Sequence, residues 1–469
     1  NTQPAWLETT GNPAIAQNFM TAKVTTPAPK EFSDRLYFIN NLGAADVRAS
    51  RAVWNNPVGG ALQWNNPPRN AILDTKGEIR WYMKADRIYD PESLYDAGIM
   101  MGFHQNADGA LSWGYGQHYA KYDLLGRKVF NRRLPANYAD FSHAMMPAEN
   151  GGYFLRVASP DLRRADDTRV RTVRDVIIEV DASGEVVDEW RLFEILDPNR
   201  NIVLKSIDQG AVCLNIDTSQ SGKTLSAEQL AKLEAQHAFG DIAGTGAGRN
   251  WAHVNSVDYD PVDDSIILSS RHQSAVVKIG RDKQVKWILA APNGWRDGLK
   301  DKVLTPVGKD GRPLSCRIGK CEGGFDWTWT QHTAWKIDEL SKGDIVYVSV
   351  FDNGDGRAFV QPEDQNEKYS RAVVYKIDQK AMTVEQVWEY GKERGHELYS
   401  PITSSVEYQA DKNSVVVYWA SIGTGSKTGP APVLTEFRWG ETKPAFEMHL
   451  KGGMGYRALP IDAQKAFVR

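Results

Sequence analysis

Short apolar runs alternate with polar turns along most of this chain, and one order recurs. An apolar stretch leads into a turn with Asp and often Gly, and a second stretch follows that tends to end in Trp or another large apolar residue. Two short strands joined by such a turn predict a β-hairpin. Six hairpins are predicted in this way, at residues 72–81, 122–130, 178–187, 277–287, 374–384 and 434–446.

Each predicted hairpin is preceded by another strand pair, which indicates a repeat of four strands. The clearest unit spans residues 251–289, with strands expected at 253–259, 265–270, 275–279 and 285–289. Short antiparallel sheets repeated around an axis make a β-propeller. We therefore predict an all-β fold, a six-bladed propeller of four-stranded blades, in preference to unrelated hairpins in a sandwich. The segment 455–461 is expected to pair into the first blade and close the ring.

Two parts of the chain depart from the repeat. Residues 1–36 contain scattered prolines and are predicted to be an extended arm, so the propeller is assigned residues 37–469. Residues 196–249 are too long for a blade connection, and the capping box Ser226-Ala-Glu-Gln229 predicts a helix inside this insertion. Long loops on a scaffold are often lids, but a decorative excursion fits equally well.

Composition narrows the function classes. The 469 residues are 41% hydrophobic with a net charge of -3, so the basic excess of a nucleic-acid-binding surface is absent. No run approaches the ~18–20 apolar residues of a membrane helix. The first residue is Asn1 instead of Met, which fits a cleaved secretory signal or a trimmed sequence.

Three cysteines and two glycine-containing segments are further candidate sites in the sequence. Cys316 and Cys321 enclose four residues, a spacing that a small disulfide loop accommodates, although unrelated thiols remain an alternative. Cys213 is expected to be buried and free. Residues 244–248 follow no strand–helix pattern, so nucleotide binding is not supported. Residues 352–357 resemble a calcium loop, for which a plain turn is the favoured interpretation.

The candidate chemistry comes from aligning the starts of four blades. Residues 141–145, 251–255, 330–334 and 401–405 place one polar residue at the same register, namely His143, His253, His332 and Thr403. The innermost strands of a propeller line its central channel, so equivalent positions are expected to converge on the axis. Residues 325–335, around His332, are predicted to be a strand with Thr330, His332 and Ala334 on one face.

Further polar residues are expected near this register. Asn255 shares the face of His253, and Arg271 ends the second strand of that blade, whereas His272 is expected to point to the opposite face. Arg394 and Tyr399 precede the strand of Thr403 and are predicted to form the rim, together with Glu393.

Histidines, an arginine and amide or hydroxyl groups without an obvious carboxylate suit three functions. Neutral imidazoles bind metals, which favours a metal-dependent hydrolase or lyase, although an adjacent arginine opposes a cation. An arginine fork can instead orient a sulfate or phosphate while imidazole acts as nucleophile or base. The third interpretation is a ligand-binding propeller without catalysis.

Four runs together resemble one family. Trp251-Ala-His-Val-Asn-Ser-Val-Asp-Tyr-Asp260, Ser269-Ser-Arg-His272, Gln331-His-Thr-Ala-Trp335 and Gly391-Lys-Glu-Arg-Gly395 are similar to the bacterial arylsulfate sulfotransferases, over roughly residues 40 to 460. The resemblance implies a periplasmic six-bladed propeller enzyme that works without a nucleotide sulfate donor. It further implies that an aryl sulfate donates to a phenolic acceptor, with no cofactor and no metal.

The resemblance also implies residue roles. His332, downstream of the disulfide Cys316–Cys321, is implied to be transiently sulfated in a ping-pong reaction, with His143 and His253 as further active-site histidines. Arg271 is implied to bind the sulfuryl group, and Asn255 and Thr403 match supporting polar positions. Trp327 and Trp329 are further candidates for stacking on the aryl ring. Better-known members carry an N-terminal β-sandwich for which residues 1–36 are too short, so a homodimer is an open expectation.

Overall fold

The computed structural model describes residues 20–42, 70–83, 100–159, 162–163, 166–170, 173, 175–207, 226–235, 249–360, 364, 366–424 and 426–465. In its first half lie fourteen strands: β1 Thr21–Thr26, β2 Leu36–Asn41, β3 Ala71–Asp74, β4 Ile79–Tyr82, β5 Met101–Gln105, β6 Leu111–Tyr115, β7 His118–Tyr122, β8 Lys128–Arg133, β9 Met145–Pro147, β10 Tyr153–Val157, β11 Leu162–Arg163, β12 Arg169–Val170, β13 Val176–Val180 and β14 Val186–Arg191.

The second half adds sixteen: β15 Val254–Asp260, β16 Ser265–Ser270, β17 Ala275–Gly280, β18 Val285–Leu289, β19 Thr305–Pro306, β20 Cys316–Arg317, β21 Lys320–Cys321, β22 Ala334–Lys336, β23 Ile345–Asp352, β24 Arg371–Asp378, β25 Thr383–Tyr390, β26 Ser405–Gln409, β27 Ser414–Trp419, β28 Val433–Arg438, β29 Phe446–Lys451 and β30 Gly455–Pro460.

Helices are few and short in the described residues. They are α1 (Leu192–Ile195), α2 (Ala227–Ala235) and the 3-10 turns Lys30–Phe32, Arg271–Gln273, Lys300–Lys302, Arg357–Phe359 and Lys392–Leu398. None of the described helices has the length and apolarity needed to cross a membrane.

The strands form six antiparallel blades, which confirms the predicted all-β propeller. From the inner to the outer strand the blades are β30-β2-β3-β4, β5-β6-β7-β8, β9-β10-β13-β14, β15-β16-β17-β18, β22-β23-β24-β25 and β26-β27-β28-β29. We number them blades 1 to 6 in that order. Each of the six predicted hairpins corresponds to the third and fourth strands of one blade, counted from the channel. The four strands predicted for the unit 251–289 lie within one residue of those observed.

The C-terminal strand enters the first blade. β30 pairs antiparallel with β2, with Phe38 opposite Leu459, so the first blade contains both early and late parts of the chain. Strand β1 pairs with β29 as a fifth, outermost strand of blade 6. The described part of the predicted N-terminal arm is therefore tied to blade 6, while the division at residue 36 stays a prediction.

Two expectations about connecting segments have different outcomes. The capping box exists: Ser226 N donates to Gln229 Oε1 at 2.8 Å, and Gln229 N donates to Ser226 Oγ at 3.2 Å. Helix α2 begins directly after Ser226, but most of the 196–249 insertion, including Cys213, lies outside the described residues. The strand predicted at 325–335 is wrong, because only Ala334–Lys336 pair with β23. The preceding residues use side-chain hydrogen bonds instead, among them Trp329 N to Asp352 Oδ1 at 2.9 Å.

Neighbouring blades 4 and 5 share a buried ionic cluster. Asp260, at the end of β15, lies 2.6 Å from Lys278 Nζ on β17 and 2.7 Å from Lys336 Nζ on β22. The Asp260 side chain is only 2% exposed. Removing one partner of a buried pair leaves an uncompensated charge, which costs more than the pair itself contributes.

We predict that Asp260→Asn destabilises the propeller by about 3 kcal/mol. This is the lower end of the range for breaking buried pairs, because Lys278 and Lys336 retain contacts with Asp263 and Asp338. Urea unfolding followed by tryptophan fluorescence measures the change. The matched control is Asp310→Asn, at an exposed turn, where about 0.5 kcal/mol or less is expected. Equal stability of the two variants would contradict the prediction.

Candidate functional site

The aligned polar residues stand where the inner strands begin. His143, His253, His332 and Thr403 each lie one or two residues before β9, β15, β22 and β26, respectively. All four side chains are buried, with 1–6% exposure. Because all four inner strands begin at the same end of the channel, these residues converge there. The ring centroids of His143 and His253 are 5.0 Å apart in an edge-on arrangement.

The backbone at these positions is unusual. His143, His253 and Thr403 have positive φ angles of 71°, 47° and 57°. In the fourth segment the left-handed residue is Thr330, with φ 49°, two positions before His332. Left-handed conformations in non-glycine residues cost ~1–3 kcal/mol each and cluster at functional sites. They turn the chain from the connecting loop into the inner strand.

Arg271 is buried, and its side chain is only partly hydrogen-bonded within the described residues. It follows β16 in a 3-10 turn, its side chain is fully buried, and its backbone N donates to His253 O at 3.2 Å. Its Nη2 lies 3.4 Å from Pro401 O and 3.9 Å from Asp355 Oδ2. Among the described residues, no hydrogen-bond acceptor meets its Nε or Nη1. Buried donors are rarely left unsatisfied, so these two N–H groups are suited to an anionic ligand.

His332 is held neutral beside this arginine. Burial lowers the pKa of His332 well below its usual range, and the Arg271 guanidinium lowers that pKa further. Its Nδ1 lies 2.8 Å from Asn353 Oδ1. A neutral imidazole keeps one ring nitrogen with a free electron pair, which a nucleophile needs.

Asn255 and Thr403 have backbone roles within the same cluster. Asn255 Nδ2 donates to Gln331 O at 2.8 Å, next to His332, and its Oδ1 has no partner among the described residues. Thr403 Oγ1 bonds to Ile402 O, while Thr403 O accepts from the amide of Asn353 at 3.0 Å. The structure thus places both residues at the cluster, and their roles toward a ligand stay predictions.

Three residues at the site were not found from sequence. Tyr456 is at the start of β30, and its hydroxyl lies 3.4 Å from His143 O. Next to it, Arg457 Nη2 donates to Asn255 O at 2.6 Å. Asn353 follows β23. The position of Tyr456 at the beginning of an inner strand is the signal that could have identified it, because β30 aligns with the strands that follow the histidines.

The face predicted for His272 is wrong. Its ring centroid lies 4.5 Å from that of His253, and its Nδ1 lies 2.5 Å from Asn250 O. Period-two reasoning fails here because residues 271–273 form a 3-10 turn and not a continuing strand. Asn250 also reaches His253, with Nδ2 of the amide 2.8 Å from Nδ1 of the ring.

The cysteine pair supports the segment that carries His332. A disulfide joins Cys316 and Cys321 across the β20–β21 hairpin. At its turn, Gly319 has φ 72°, and a Cβ there would come within 2.8 Å of the Trp329 ring. Trp327 and Trp329 are each 1% exposed within a hydrophobic cluster of blades 4 and 5. The proposal that they stack on a ligand is therefore wrong; they are core residues.

The predicted rim residues differ in placement. The Arg394 guanidinium contacts Glu397, Tyr390 Oη at 2.8 Å and Glu447 at 3.2 Å on β29, an outer strand of blade 6. Tyr399 precedes Ser400, whose carbonyl accepts from the Asn353 amide at 2.7 Å. The chain after Tyr399 thus leads toward the histidine cluster, whereas the contacts of Arg394 lead outward. A role in ligand binding stays a prediction for both.

The acidic loop after β23 does not serve as a calcium loop in this fold. Asp352 pairs with Arg371 at 2.8 Å and with Arg357 at 3.0 Å, and Asp355 pairs with Lys368 at 3.2 Å. Within the described residues, no group of three or more His, Cys, Asp or Glu side chains is arranged to hold a metal ion. The three-histidine metal hypothesis thus receives no geometric support there.

Comparisons with known proteins agree on one family. The arylsulfotransferase (ASST) family model matches residues 21–457. Arylsulfate sulfotransferase AssT of Escherichia coli O6:H1 is 46% identical over 434 residues, covering 87% of this chain and 70% of that protein. The protein of the same name from Lelliottia amnigena is 44% identical over 416 residues, covering 85% and 67%.

Similarities to solved structures are distant. A protein of unknown function from Bacteroides caccae is 10% identical with a TM-score of 0.40, covering 91% of this chain and 98% of that one. A luciferin-regenerating enzyme is 8% identical with a TM-score of 0.34, covering 94% and 100%. These similarities carry no argument about the site.

We predict that inorganic sulfate binds at Arg271 and that Arg271→Gln weakens this binding about 10- to 100-fold. Hydrogen bonds to a charged group are worth ~1.5–3 kcal/mol, and ~1.4 kcal/mol is tenfold in affinity. Isothermal titration calorimetry at fixed ionic strength measures the dissociation constant. Arg312→Gln, at an exposed arginine, is the matched control. Unchanged affinity in Arg271→Gln, with the fold intact by circular dichroism, would rule out this anion site.

Proposed function

The chain belongs to the arylsulfotransferase family, and from this premise we propose that it carries a sulfuryl group on His332 between an aryl sulfate donor and a phenolic acceptor. It is a sulfotransferase. The proposed reaction is ping-pong, needs no nucleotide sulfate donor and uses no cofactor. Its periplasmic location and oligomeric state stay predictions.

One observation supports this proposal most directly: a neutral, buried imidazole stands beside an arginine with unpaired donors. The pKa of His332 is depressed by burial first and by Arg271 second. Arg271 Nε and Nη1 have no acceptor among the described residues. A sulfuryl group supplies oxygens for those donors and an electrophilic sulfur for the imidazole, so one substrate group satisfies both.

In the first half-reaction, the lone pair of one His332 ring nitrogen forms a bond to sulfur. The bond between sulfur and the aryl oxygen breaks, and its electron pair leaves with that oxygen. Charge spreads over the sulfuryl oxygens in the transition state, where the fixed donors of Arg271 stabilise it. Because these donors sit in a buried site, their stabilisation exceeds that available in water.

His143 is suited to donate to a sulfuryl oxygen. Its Nδ1 contacts Ser142 Oγ, and that hydroxyl accepts a hydrogen bond from Arg156 Nη2. The hydroxyl hydrogen of Ser142 is then available to donate to Nδ1, which favours the tautomer with a proton on Nε2 of His143. The proposal assigns this Nε2–H group to a sulfuryl oxygen.

His253 is assigned the proton transfers. It protonates the departing phenol oxygen in the first half-reaction. In the second, it takes the proton of the acceptor phenol as that oxygen attacks the sulfur on His332. Microscopic reversibility makes one residue sufficient, since the two half-reactions are chemically the same step in opposite directions.

We predict a gain of one SO₃ on the protein after brief mixing with 4-nitrophenyl sulfate, with metals chelated and phenol withheld. The adduct maps to His332 and disappears when phenol is added, because the acceptor completes the second half-reaction. Intact mass spectrometry followed by peptide mapping at alkaline pH measures it. His332→Asn is the comparison variant, with no adduct and no transfer expected.

Other outcomes point elsewhere. If no adduct forms, and activity returns only when metal is added, the metal-dependent alternative is supported. Neither adduct nor turnover under any condition would support a ligand-binding propeller. Turnover near wild type in His332→Asn would remove the nucleophile assignment.

We further predict that His253→Gln slows sulfation more for aryl sulfate donors with a basic leaving group than for donors with a stable one. Phenyl sulfate releases a basic phenoxide that needs a proton, so its sulfation rate is expected to fall about 10²- to 10⁴-fold. 4-Nitrophenyl sulfate releases a stable phenolate, so its rate is expected to fall far less. Single-turnover kinetics with both donors gives the ratio. An equal loss for the two donors would contradict a proton-transfer role and indicate a positional one.

A further inference from the structure

The Asn353 amide is locked in one orientation. It follows β23 and is fully buried. Its Nδ2 donates to Ser400 O at 2.7 Å and to Thr403 O at 3.0 Å, two carbonyls that only accept. An amide turned by 180° would place its oxygen against both carbonyls. Its Oδ1 must therefore face His332 Nδ1, at 2.8 Å.

This orientation fixes the proton on the His332 ring. An amide oxygen can only accept, so Nδ1 of the neutral imidazole must carry the hydrogen. The electron pair is then on Nε2. Unlike the contact between Asn250 and His253, where the amide can present either atom, the Asn353 contact admits one tautomer.

We propose that Asn353 is the positioning residue of His332: its side-chain oxygen holds the imidazole as the Nδ1–H tautomer and so directs the Nε2 lone pair to the reacting sulfur. This inference rests on the proposed function of His332 and deepens it. Asn353 touches neither sulfur nor phenol in the proposed reaction and acts through the imidazole alone.

The chemistry gives a reason for an amide at this position. When Nε2 bonds to sulfur and the aryl oxygen leaves with the S–O electron pair, Nδ1 keeps its proton and the ring becomes an imidazolium that bears SO₃. In the second half-reaction the ring departs as neutral imidazole, a good leaving group. A carboxylate at position 353 would instead favour protonation of the free ring and remove the Nε2 lone pair.

The charges around His332 act on its pKa against its hydrogen bonds, since the bonds to Asn353 and to the Thr330 backbone raise that pKa. Arg271, after β16, and Arg457, on β30, both oppose a proton on His332. Asp355 Oδ2 lies 3.9 Å from Arg271 Nη2, and Lys368 Nζ lies 3.2 Å from Asp355 Oδ1. His253, on the neighbouring blade 4, and His143, on blade 3, are further titratable rings of the cluster. A neutral acceptor at 353 therefore keeps the site free of an anion next to the nucleophile.

The direct test uses the wild-type protein. Two-bond ¹H–¹⁵N correlation spectra of ¹⁵N-histidine-labelled protein distinguish protonated from unprotonated ring nitrogens, and His332→Asn identifies the His332 signals by their loss. We expect Nδ1 protonated and Nε2 unprotonated at pH 7. A His332 ring protonated on Nε2 in the free enzyme would overturn the proposal without any question of variant folding.

The second test is Asn353→Asp, followed by the pH dependence of the first half-reaction. A carboxylate 2.8 Å from Nδ1 raises the pKa of His332, so the imidazolium persists to higher pH and blocks attack. The acid limb of the rate profile is expected to move to higher pH, so that sulfation at pH 6 falls about 10-fold or more while the rate at alkaline pH changes far less. A uniform loss across pH would indicate a structural role and overturn the proposal.

Asn413→Asp is the matched control, since it makes the same change at an exposed hairpin turn where Asn413 Oδ1 accepts from Tyr408 Oη at 2.8 Å. Its profile should match wild type. If wild type forms no sulfated His332 at all, the proposed function fails. If wild type is sulfated but the tautomer or the pH shift is not as expected, only the role of Asn353 fails.

Discussion

Pairing of β30 with β2 closes the propeller, and the site depends on that closure. The ladder brings Tyr456 and Arg457, from the end of the chain, against His143 and Asn255. A ring of blades holds a fixed channel only when its first and last sheets are joined, since an open ring would leave inner edges unpaired. With the ring closed, the residues just before the inner strands of four further blades meet at one end of the channel.

Convergence at the axis brings two buried cations close to the imidazole of His332. Arg271 and Arg457 are both buried near His332, and two buried cations depress the pKa of an already desolvated imidazole. Burying an arginine with unpaired donors costs free energy unless an anion satisfies them. Asp355 is paired with Lys368 and lies near Nη2 of Arg271. Within the described residues, neither Nε nor Nη1 of Arg271 has a hydrogen-bond acceptor. The resting site is thus prepared for an anionic group.

The three histidines at equivalent blade positions differ in local backbone conformation and in hydrogen-bonding partner. His143 and His253 project from left-handed residues, whereas His332 follows one. Each ring contacts a different polar partner through Nδ1: Ser142, Asn250 and Asn353, respectively. The partner is a hydroxyl for His143 and an amide for the other two rings, and the amide presents its nitrogen to His253 but its oxygen to His332. In the proposed mechanism these different contacts allow one fold position to supply a hydrogen-bond donor, a proton carrier and a nucleophile.

Sequence alone determined the hairpins, the blade count, the closing strand and the register of the three histidines, because strand alternation, turn residues and repeat spacing are local properties of the chain. Tertiary structure decided the rest. The aromatic pattern of residues 325–333 predicts a strand, because a pattern does not reveal that Asp352 accepts a hydrogen bond from the backbone of Trp329. His272 was placed on the wrong face because a 3-10 turn ends the period of two. Asn353, 21 residues from His332, meets it only when β22 pairs with β23, and hydrogen bonds formed across strands leave no periodic trace in sequence.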